Sequence, residues 1–338
     1  MNREITIAGG GLAGLSLGIA LRERNIPVTV LEAGSYPRHR VCGEFISGVG
    51  EGTLSRLGIL PLFADARHHE TLIWHERGKV LHRNRLPEAA IGISRHALDE
   101  RLRLRFEELG GCLKTGIRAR PQPADGLVWA AGRRPRNGRW IGLKAHVRGL
   151  PMEADLEMHA GANGYAGLAG VEDGWVNVCG LFRIDRKLEA KGPDLLTAYL
   201  AAGGHPQLAD QLRAAEWREG SFSGVAGFEL GQQPEVPGLL CLGDAESMIP
   251  PFTGNGMSMA FQAAEAAVEP LAAWVHGNAC WESTRHTISA DLKKRFRRRL
   301  STALFLHRVL LSDRGRTLLQ TLSSARLLPF KPVLSLVR

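Results

Sequence analysis

The segment Gly9-Gly10-Gly11-Leu12-Ala13-Gly14 constrains the fold of this chain more than any other. It follows the apolar run Ile5–Ala8 and opens a stretch, residues 12–24, with the apolar spacing of a helix. A G-x-G-x-x-G sequence at such a junction lets the backbone approach a pyrophosphate, because glycine has no Cβ, and points the helix N-terminus at the negative charge. Glu32 ends the next predicted strand, where a carboxylate can accept from ribose hydroxyls. The pattern predicts a dinucleotide-binding βαβ unit; a glycine turn without a ligand is the alternative.

A second glycine-rich segment, "GLLCLGDAESMIPPFTGNGMSMAF", lies far along the chain at residues 238–261. Asp244 closes a predicted buried strand, and Gly254 and Gly256 open a helix. This segment resembles the second FAD fingerprint of the p-hydroxybenzoate hydroxylase-type and geranylgeranyl reductase-type flavoproteins. The resemblance implies FAD as the bound nucleotide, with Asp244 contacting its ribityl hydroxyls and the helix start facing the flavin's pyrimidine end.

The same resemblance implies that the loop after Glu32 runs beside the isoalloxazine ring. In "RHRVCGEFISG" the Cys42-Gly43 pair is similar to one in the geranylgeranyl reductase branch. Cys42 is either a small residue that fills space beside the ring or a redox-active thiol. The cofactor-binding residues implied by the motifs and the resemblance are Gly9, Gly11, Leu12, Ala13, Gly14, Glu32, Ala33, Arg40, Cys42, Gly43, Arg95, Gly132, Gly243, Asp244, Gly254, Gly256 and Met257.

The resemblance and the hydrophobic patterning together predict an α/β fold. We expect a Rossmann-like FAD-binding domain of the p-hydroxybenzoate hydroxylase type, formed discontinuously by residues 1–134 and 232–275. Short alternating segments between Trp140 and Phe182 indicate an inserted antiparallel-sheet substrate domain at residues 135–231. Residues 276–338 form the predicted basic, helical C-terminal segment.

Candidate catalytic residues lie in the predicted antiparallel sheet and in the loop. Strand alternation places Lys144 and His146 on one face, and Glu157 and His159 share a face of the next strand. If these faces roof the flavin, the side chains are acid/base candidates; if not, they face water. Cys42 is the other catalytic candidate. The cysteines form no CxxC pair and no His/Cys cluster at zinc spacing, which argues against a structural metal.

The charge distribution is strongly asymmetric. The chain has a net charge of +9, and residues 291–338 hold nearly all the excess of basic residues, with only Asp291 and Asp313 opposing it. A near-neutral body argues against nucleic acid as a partner. The tail is either a closing helix with a solvated basic side or a peripheral contact with an anionic membrane.

The cellular location is predicted from cysteine usage and hydropathy. Five widely spaced cysteines indicate a reducing, cytoplasmic compartment. The N-terminus lacks the basic region of a signal peptide, and no run of about 18 apolar residues predicts a membrane span.

These patterns predict an FAD-dependent oxidoreductase. The first hypothesis is a monooxygenase of secondary metabolism that uses NAD(P)H and O₂ to oxygenate a lipophilic or aromatic small molecule; the cofactor carries that chemistry. Ala131-Gly132-Arg133 lacks the Asp-Gly pair of related hydroxylases, which casts doubt on standard NADPH handling. A reductase of isoprenoid C=C bonds and a non-catalytic flavin-binding module are the alternatives. A flavin halogenase is disfavoured because no W-x-W-x-I-P segment occurs.

Overall fold

The computed structural model describes residues 3–133 and 136–337, and the elements below belong to those residues. The helices are α1 (Leu12–Arg22), α2 (Glu51–Arg56), α3 (Arg95–Glu108), α4 (Pro193–Ala202), α5 (Pro206–Ala214), α6 (Gly256–Val275), α7 (Trp281–Leu310), α8 (Asp313–Ser324) and α9 (Phe330–Leu336). The strands are β1 (Ile5–Ala8), β2 (Val28–Leu31), β3 (Phe45–Ile46), β4 (Arg67–Glu76), β5 (Lys79–Gly92), β6 (Cys112–Lys114), β7 (Leu127–Trp129), β8 (Trp140–Arg148), β9 (Leu156–Ala160), β10 (Gly164–Gly170), β11 (Val176–Arg183), β12 (Glu216–Trp217), β13 (Ser223–Phe228), β14 (Gly231–Gln232), β15 (Leu240–Cys241) and β16 (Ser247–Met248).

A five-stranded parallel sheet forms the first layer, in the order β15-β7-β1-β2-β6. Strand β1 is central, and its Ile5 and Ile7 are fully buried because helices cover the sheet. The junctions that leave β1, β2 and β15 all lie at the carboxyl edge of this sheet. This arrangement brings the first and the second glycine-rich segments together although they are distant in sequence.

The second layer is a nine-stranded sheet in the order β12-β8-β11-β10-β9-β4-β5-β3, with β13 also paired to β8. Its pairs are antiparallel except for β4 and β9, which are parallel. Strands β8 to β13 lie within residues 135–231, and residues 45–92 add β3, β4 and β5 to the same sheet. The sheet extends beyond the bounds predicted for the inserted domain because β4 pairs with β9.

The C-terminal helix α7 is part of the main core. Its Leu292, Phe296, Leu300 and Ala303 are buried in the same cluster as α1 and α6. The apolar stripe of the tail is therefore occupied by the protein interior, and residues 281–310 do not form a separate segment. Within the described residues, no helix combines the length and hydropathy needed to cross a membrane.

Candidate functional site

A large cavity of about 1230 Å³ lies between the two sheets and the C-terminal helices. Of the predicted cofactor-binding residues, Gly14 alone does not line it. Sixteen positions from five separate segments thus converge on one space: Gly9, Gly11, Leu12, Ala13, Glu32, Ala33, Arg40, Cys42, Gly43, Arg95, Gly132, Gly243, Asp244, Gly254, Gly256 and Met257.

In the first glycine turn, two glycines are required by the backbone of the turn itself, and a third leaves room for a ligand. A Cβ on Gly9, which has φ +110°, would lie 2.3 Å from the Ala130 carbonyl oxygen, and a Cβ on Gly14 would lie 2.0 Å from the Gly9 carbonyl oxygen. Those two glycines are required by the turn itself. A Cβ on Gly11 would meet only Arg95 Nη2, at 3.9 Å, so the backbone there faces open cavity.

Glu32 lies at the end of β2 beside this turn and is almost fully buried. Its carboxylate accepts hydrogen bonds from the backbone N–H groups of Gly10 and Gly34, each at 2.8 Å, and from Arg38 at 2.7 Å. Burial opposes ionisation, yet the Gly34 N–H, Arg40 and Arg38 hold the pKa of Glu32 below its ordinary value. Glu32 is therefore an ionised acceptor, and a ribose hydroxyl would share oxygens that the chain already holds in place.

Asp244 lines the same cavity, near Arg95 and Arg133. It is accessible from the cavity although the protein surrounds it, and its carboxylate makes no hydrogen bond to another described residue. Burial raises the pKa of Asp244, against the opposing effect of Arg95 and Arg133. Arg95 is fixed by a bidentate pair with Asp99, at 2.7 and 2.8 Å. An acceptor that lacks a partner at a cavity wall suits a ligand with hydroxyl donors.

Helix α6 directs its N-terminus into the same cavity. Gly254, with φ +67°, precedes it, and a Cβ there would lie 2.1 Å from the ring of Phe45, so only glycine fits. Gly254, Gly256 and Met257 line the cavity. The free N–H groups and dipole of this 20-residue helix therefore favour negative charge or carbonyl oxygens at that point.

A buried ionic network, which we call the Glu44 network, holds the loop that carries Cys42. Glu44 is fully buried, has φ 56°, and bonds His146 Nε2 at 2.5 Å and Lys144 Nζ at 3.1 Å. It also accepts the backbone N–H of Arg95, at the start of α3, at 2.9 Å. Burial favours the protonated acid, but the hydrogen bond from His146 and the charge of Lys144 hold the pKa of Glu44 below its ordinary value.

His39 completes the Glu44 network on the cavity side. Burial, together with Lys144 and His146, lowers the pKa of His39 to about 3, so its ring is neutral at pH 7. Its Nδ1 then accepts a hydrogen bond from Lys144 Nζ at 3.0 Å. His39 lines both the large cavity and a smaller surface pocket that also includes His96 and Arg218.

The catalytic candidates occupy different faces of the second sheet. Lys144 and His146 share one face, as alternation predicts, but they bond Glu44 beneath the loop and do not line the cavity. The strand register places Glu157 and His159 on the opposite face, in the rows of Ala145 and Leu143. Of these four residues, Glu157 lines the cavity and the other three do not.

The two cavity cysteines are Cys42 and Cys179, which the sequence separates widely. Asn177 Nδ2 donates to the Cys42 carbonyl at 2.9 Å and fixes the loop above β11. Burial raises the pKa of both thiols. Neither is poised as a thiolate, so their chemistry favours the space-filling interpretation of Cys42.

One end of the cavity is an apolar chamber that sequence analysis did not anticipate. Trp74, Tyr165 and Phe228 of the second sheet line it on one side, and Leu319, Phe330 and Leu334 of the tail line it on the other. The sequence features that could have indicated this chamber are the aromatic residues of the antiparallel strands and the apolar residues of "LLPFKPVLSLV". Their convergence depends on long-range packing, which periodicity within one segment does not reveal.

Solved structures share this fold over nearly the whole chain. PqsL of Pseudomonas aeruginosa, in complex with 2-aminobenzoylacetate, matches with a TM-score of 0.73 at 16% identity, covering 94% of this chain and 98% of PqsL. HpxO of Klebsiella pneumoniae, complexed with FAD and uric acid, matches with 0.77 at 15% identity, covering 98% and 97%. The flavin-dependent brominase Bmp2 matches with 0.76 at 18% identity, covering 99% and 92%. The predicted α/β fold is confirmed. No protein-family model and no curated protein matches the chain.

Proposed function

We propose that this chain is an FAD-dependent oxidoreductase, and that its reaction is the monooxygenation of an aromatic or lipophilic small molecule. One observation carries the proposal: a single cavity joins the Gly11 turn to Asp244 and the start of α6, and continues into the apolar chamber. The two fingerprints thus border one ligand-sized space. The FAD bound to HpxO, which shares the fold, supports the same cofactor here.

The residues at the cavity wall fit FAD. The Gly11 backbone and the N-terminus of α1 would face its pyrophosphate, and Glu32 would accept from the ribose. Asp244 would accept from the ribityl hydroxyls, and the N-terminus of α6 would stabilise negative charge at the flavin's pyrimidine end. Arg95, held by Asp99, keeps positive charge between the two halves of the site.

The chain's own part in the reaction is binding, orientation and exclusion of water. A bound flavin would supply the redox chemistry, accepting electrons from NAD(P)H and activating O₂. The apolar chamber would hold a flat or lipophilic substrate against the flavin and keep water from it. An aromatic substrate is supported by two fold neighbours, whose structures hold 2-aminobenzoylacetate and uric acid.

Isotope incorporation tests the reaction type. Purified chain, loaded with FAD, is given NADH or NADPH and a panel of substituted phenols and anthranilates under ¹⁸O₂. We expect faster NAD(P)H oxidation with at least one compound and a product that carries one ¹⁸O atom. Products without ¹⁸O from all compounds would contradict the monooxygenase, and reduction of the C=C bond of an isoprenoid assayed in parallel would favour the reductase. A bound flavin that NAD(P)H does not reduce would leave only the flavin-binding module.

Cys42→Ala is expected to keep FAD bound and to change turnover by less than about threefold, because the buried thiol is protonated and makes no thiolate available. The measurement is FAD content together with NAD(P)H oxidation in the presence of the best compound of the panel. Cys179→Ala is the matched control for loss of a cavity thiol. Loss of turnover in Cys42→Ala with FAD retained would indicate a redox role and favour the reductase.

A peripheral contact with an anionic membrane remains part of the proposal, through the outer face of α7. Lys294, Arg298, Phe305 and Arg308 are exposed along that face. The apolar stripe on the opposite side of α7 is buried, so the contact would be electrostatic with few inserted side chains. Arg299 is buried and bonds Gln262, so it takes no part.

Co-sedimentation with liposomes tests this contact. Changing Lys293, Lys294, Arg295, Arg297 and Arg298 to Gln should reduce binding to anionic liposomes at least about tenfold at low salt, at roughly 1 kcal/mol per basic residue. Binding should also fall as salt rises. The control removes equal charge elsewhere, by changing Arg139, Arg186, Lys187, Lys191 and Arg213 to Gln. Equal binding by the two variants, or no binding by the unmodified chain, would contradict the membrane contact.

A further inference from the structure

Three side chains of the kinds that can bind a metal converge on the face of the second sheet opposite Trp74 and Met158, and one of them, Glu157, also borders the cavity. In the parallel pair β4–β9, His75 is the register partner of His159, and Glu157 precedes His159 by two residues. Strand alternation therefore puts all three on one face. One ligand atom of each, a nitrogen from both imidazoles and a carboxylate oxygen, lies within 4.8 Å of the other two. All three residues are more than nine-tenths buried.

Hydrogen bonding within this cluster leaves one buried atom unsatisfied. His159 Nε2 lies 3.1 Å from Glu157 Oε2, a normal hydrogen bond. His75 Nε2 lies 3.9 Å from the same oxygen and has no hydrogen-bond partner among the described residues. Buried polar atoms without partners are rare in folded proteins, because their desolvation is not compensated. A cation between the three atoms would satisfy His75 as well as the other two.

We propose that His75, Glu157 and His159 bind a divalent first-row transition metal, with Zn²⁺ as the best match. Metal–ligand bonds of about 2.0–2.2 Å separate neighbouring ligand atoms by roughly 3–3.5 Å. The separations of 3.1 and 3.9 Å to the Glu157 oxygen are close to that range, and all three ligand atoms lie within 4.8 Å of one another. The rings of His75 and His159 are stacked, so one of them would have to rotate for both nitrogens to face a single ion. Two imidazoles and one carboxylate suit Zn²⁺ or its neighbours better than Mg²⁺ or Ca²⁺, which prefer oxygen ligands.

The surroundings of the cluster support ligation. Glu157 Oε1 accepts the backbone N–H of Glu153 at 2.5 Å, which orients the carboxylate. The Glu153 side chain is more than half exposed and lies 4.0 Å from His75 Nε2, so it marks the solvent side and a fourth ligand position. Arg83 bonds the Glu153 carboxylate at 2.9 Å, so this ion pair would have to break before Glu153 could bind the metal.

The adjacent His205 restrains one of the proposed ligands. His205 packs edge-on against His159 and bonds the Ala160 carbonyl at 2.9 Å, which restrains the ring of His159.

The expected role is to secure the wall of the apolar chamber. In the described part of the second sheet, β4–β9 is the one parallel pair, and it joins the β4–β5 hairpin to the rest of the sheet. Trp74 and Met158 are neighbours of the cluster residues on the opposite face and line the chamber. A metal would tie the two strands together directly behind that wall. This site does not depend on the proposed reaction.

Metal titration of the full chain tests the site. Protein stripped with a chelator and kept reduced is titrated with ZnCl₂ against a chromogenic competitor, and separately with CoCl₂. We expect one tight Zn²⁺ per chain, and a Co²⁺ visible spectrum of nitrogen and oxygen ligation. Glu157→Gln keeps an oxygen that can accept the Glu153 N–H but removes the charge. It should bind Zn²⁺ at least about tenfold more weakly, since loss of even an outer partner costs about 10–100-fold.

The control is His68→Gln, an exposed histidine on the same strand, which should bind Zn²⁺ as the unmodified chain does. Equal Zn²⁺ affinity in Glu157→Gln and in the unmodified chain would overturn the site. Failure of the unmodified chain to bind one Zn²⁺ tightly would also overturn it. A thiolate charge-transfer band with Co²⁺ would assign the metal to cysteines and would also overturn it. If Glu157→Gln does not fold, the thermal shift caused by Zn²⁺ is compared between His159→Gln and the unmodified chain. A shift of equal size in both would reject the proposal.

Discussion

Glu44→Ala should lower the free energy of unfolding by about 3–5 kcal/mol, because it leaves Lys144 charged and unpaired in the interior. His146 Nε2 and the Arg95 N–H would lose the same acceptor. Both Glu and Ala carry a Cβ, so the left-handed backbone at φ 56° contributes little to the difference. Denaturant unfolding followed by circular dichroism measures the change.

Glu70→Ala is the matched control, because Glu70 pairs with Arg85 on the exposed surface; we expect a change of less than about 1 kcal/mol. Adding Lys144→Met to Glu44→Ala should recover part of the loss, since the unpaired charge is then removed. The pKa of Glu44 is lowered in the fold, so its stabilising contribution is complete above its unfolded pKa of about 4.3 and is lost as pH falls through the lowered value. A loss in Glu44→Ala no larger than in Glu70→Ala would show that the Glu44 network does not support the loop.

Gly11→Val should abolish tight FAD binding while leaving the fold intact. The backbone at Gly11, with φ −92° and ψ −168°, is extended and accepts a β-branched residue. The new side chain would enter open cavity where the pyrophosphate is proposed to meet the backbone. We expect FAD affinity to fall at least about 100-fold, a loss of roughly 3 kcal/mol, measured by calorimetric titration of the flavin-free chain.

Gly50→Val is the matched control for that substitution. Gly50 also precedes a helix with extended backbone, a Cβ there meets nothing within 4 Å, and it does not line the cavity. It should bind FAD as the unmodified chain does. Equal FAD affinity in the two variants would show that the Gly11 turn is not the nucleotide site. If Gly11→Val unfolds while Gly50→Val stays folded, the open space at Gly11 is contradicted.

Much of the parallel-sheet half could be predicted because its signals are local. Strand β1, the glycine turn and α1 follow one another in the sequence, and Gly9, Gly11 and Gly14 act within a few residues of each other. The role of Asp244 was implied by the resemblance of its segment to the second FAD fingerprint, and the turn and helix start of that segment are close together in the sequence. Signals of this kind lie within a few residues of one another, so they can be identified from the sequence alone.

The features that were missed depend on distant partners. Strands β4 and β5 are rich in charged residues, so hydrophobic alternation is weak; only the Arg77-Gly78 turn, with φ 47° and 76°, marks their hairpin. Alternation placed Lys144 and His146 on one face, but it could not reveal that Glu44, about a hundred residues earlier, is their partner. Cysteine spacing argued against a metal, whereas the His75, Glu157 and His159 cluster is formed by strand register.

The measurement that tests the central claim most directly is the identity of the nucleotide that the chain binds. Full-length protein is purified without added cofactor, denatured by heat, and the released nucleotide is separated and its fluorescence measured before and after phosphodiesterase. Protein that has lost its nucleotide is titrated with FAD, FMN and NAD. We predict one FAD per chain, with FMN and NAD bound far more weakly. Release of NAD or FMN, or failure to bind FAD at micromolar concentration, would contradict the account.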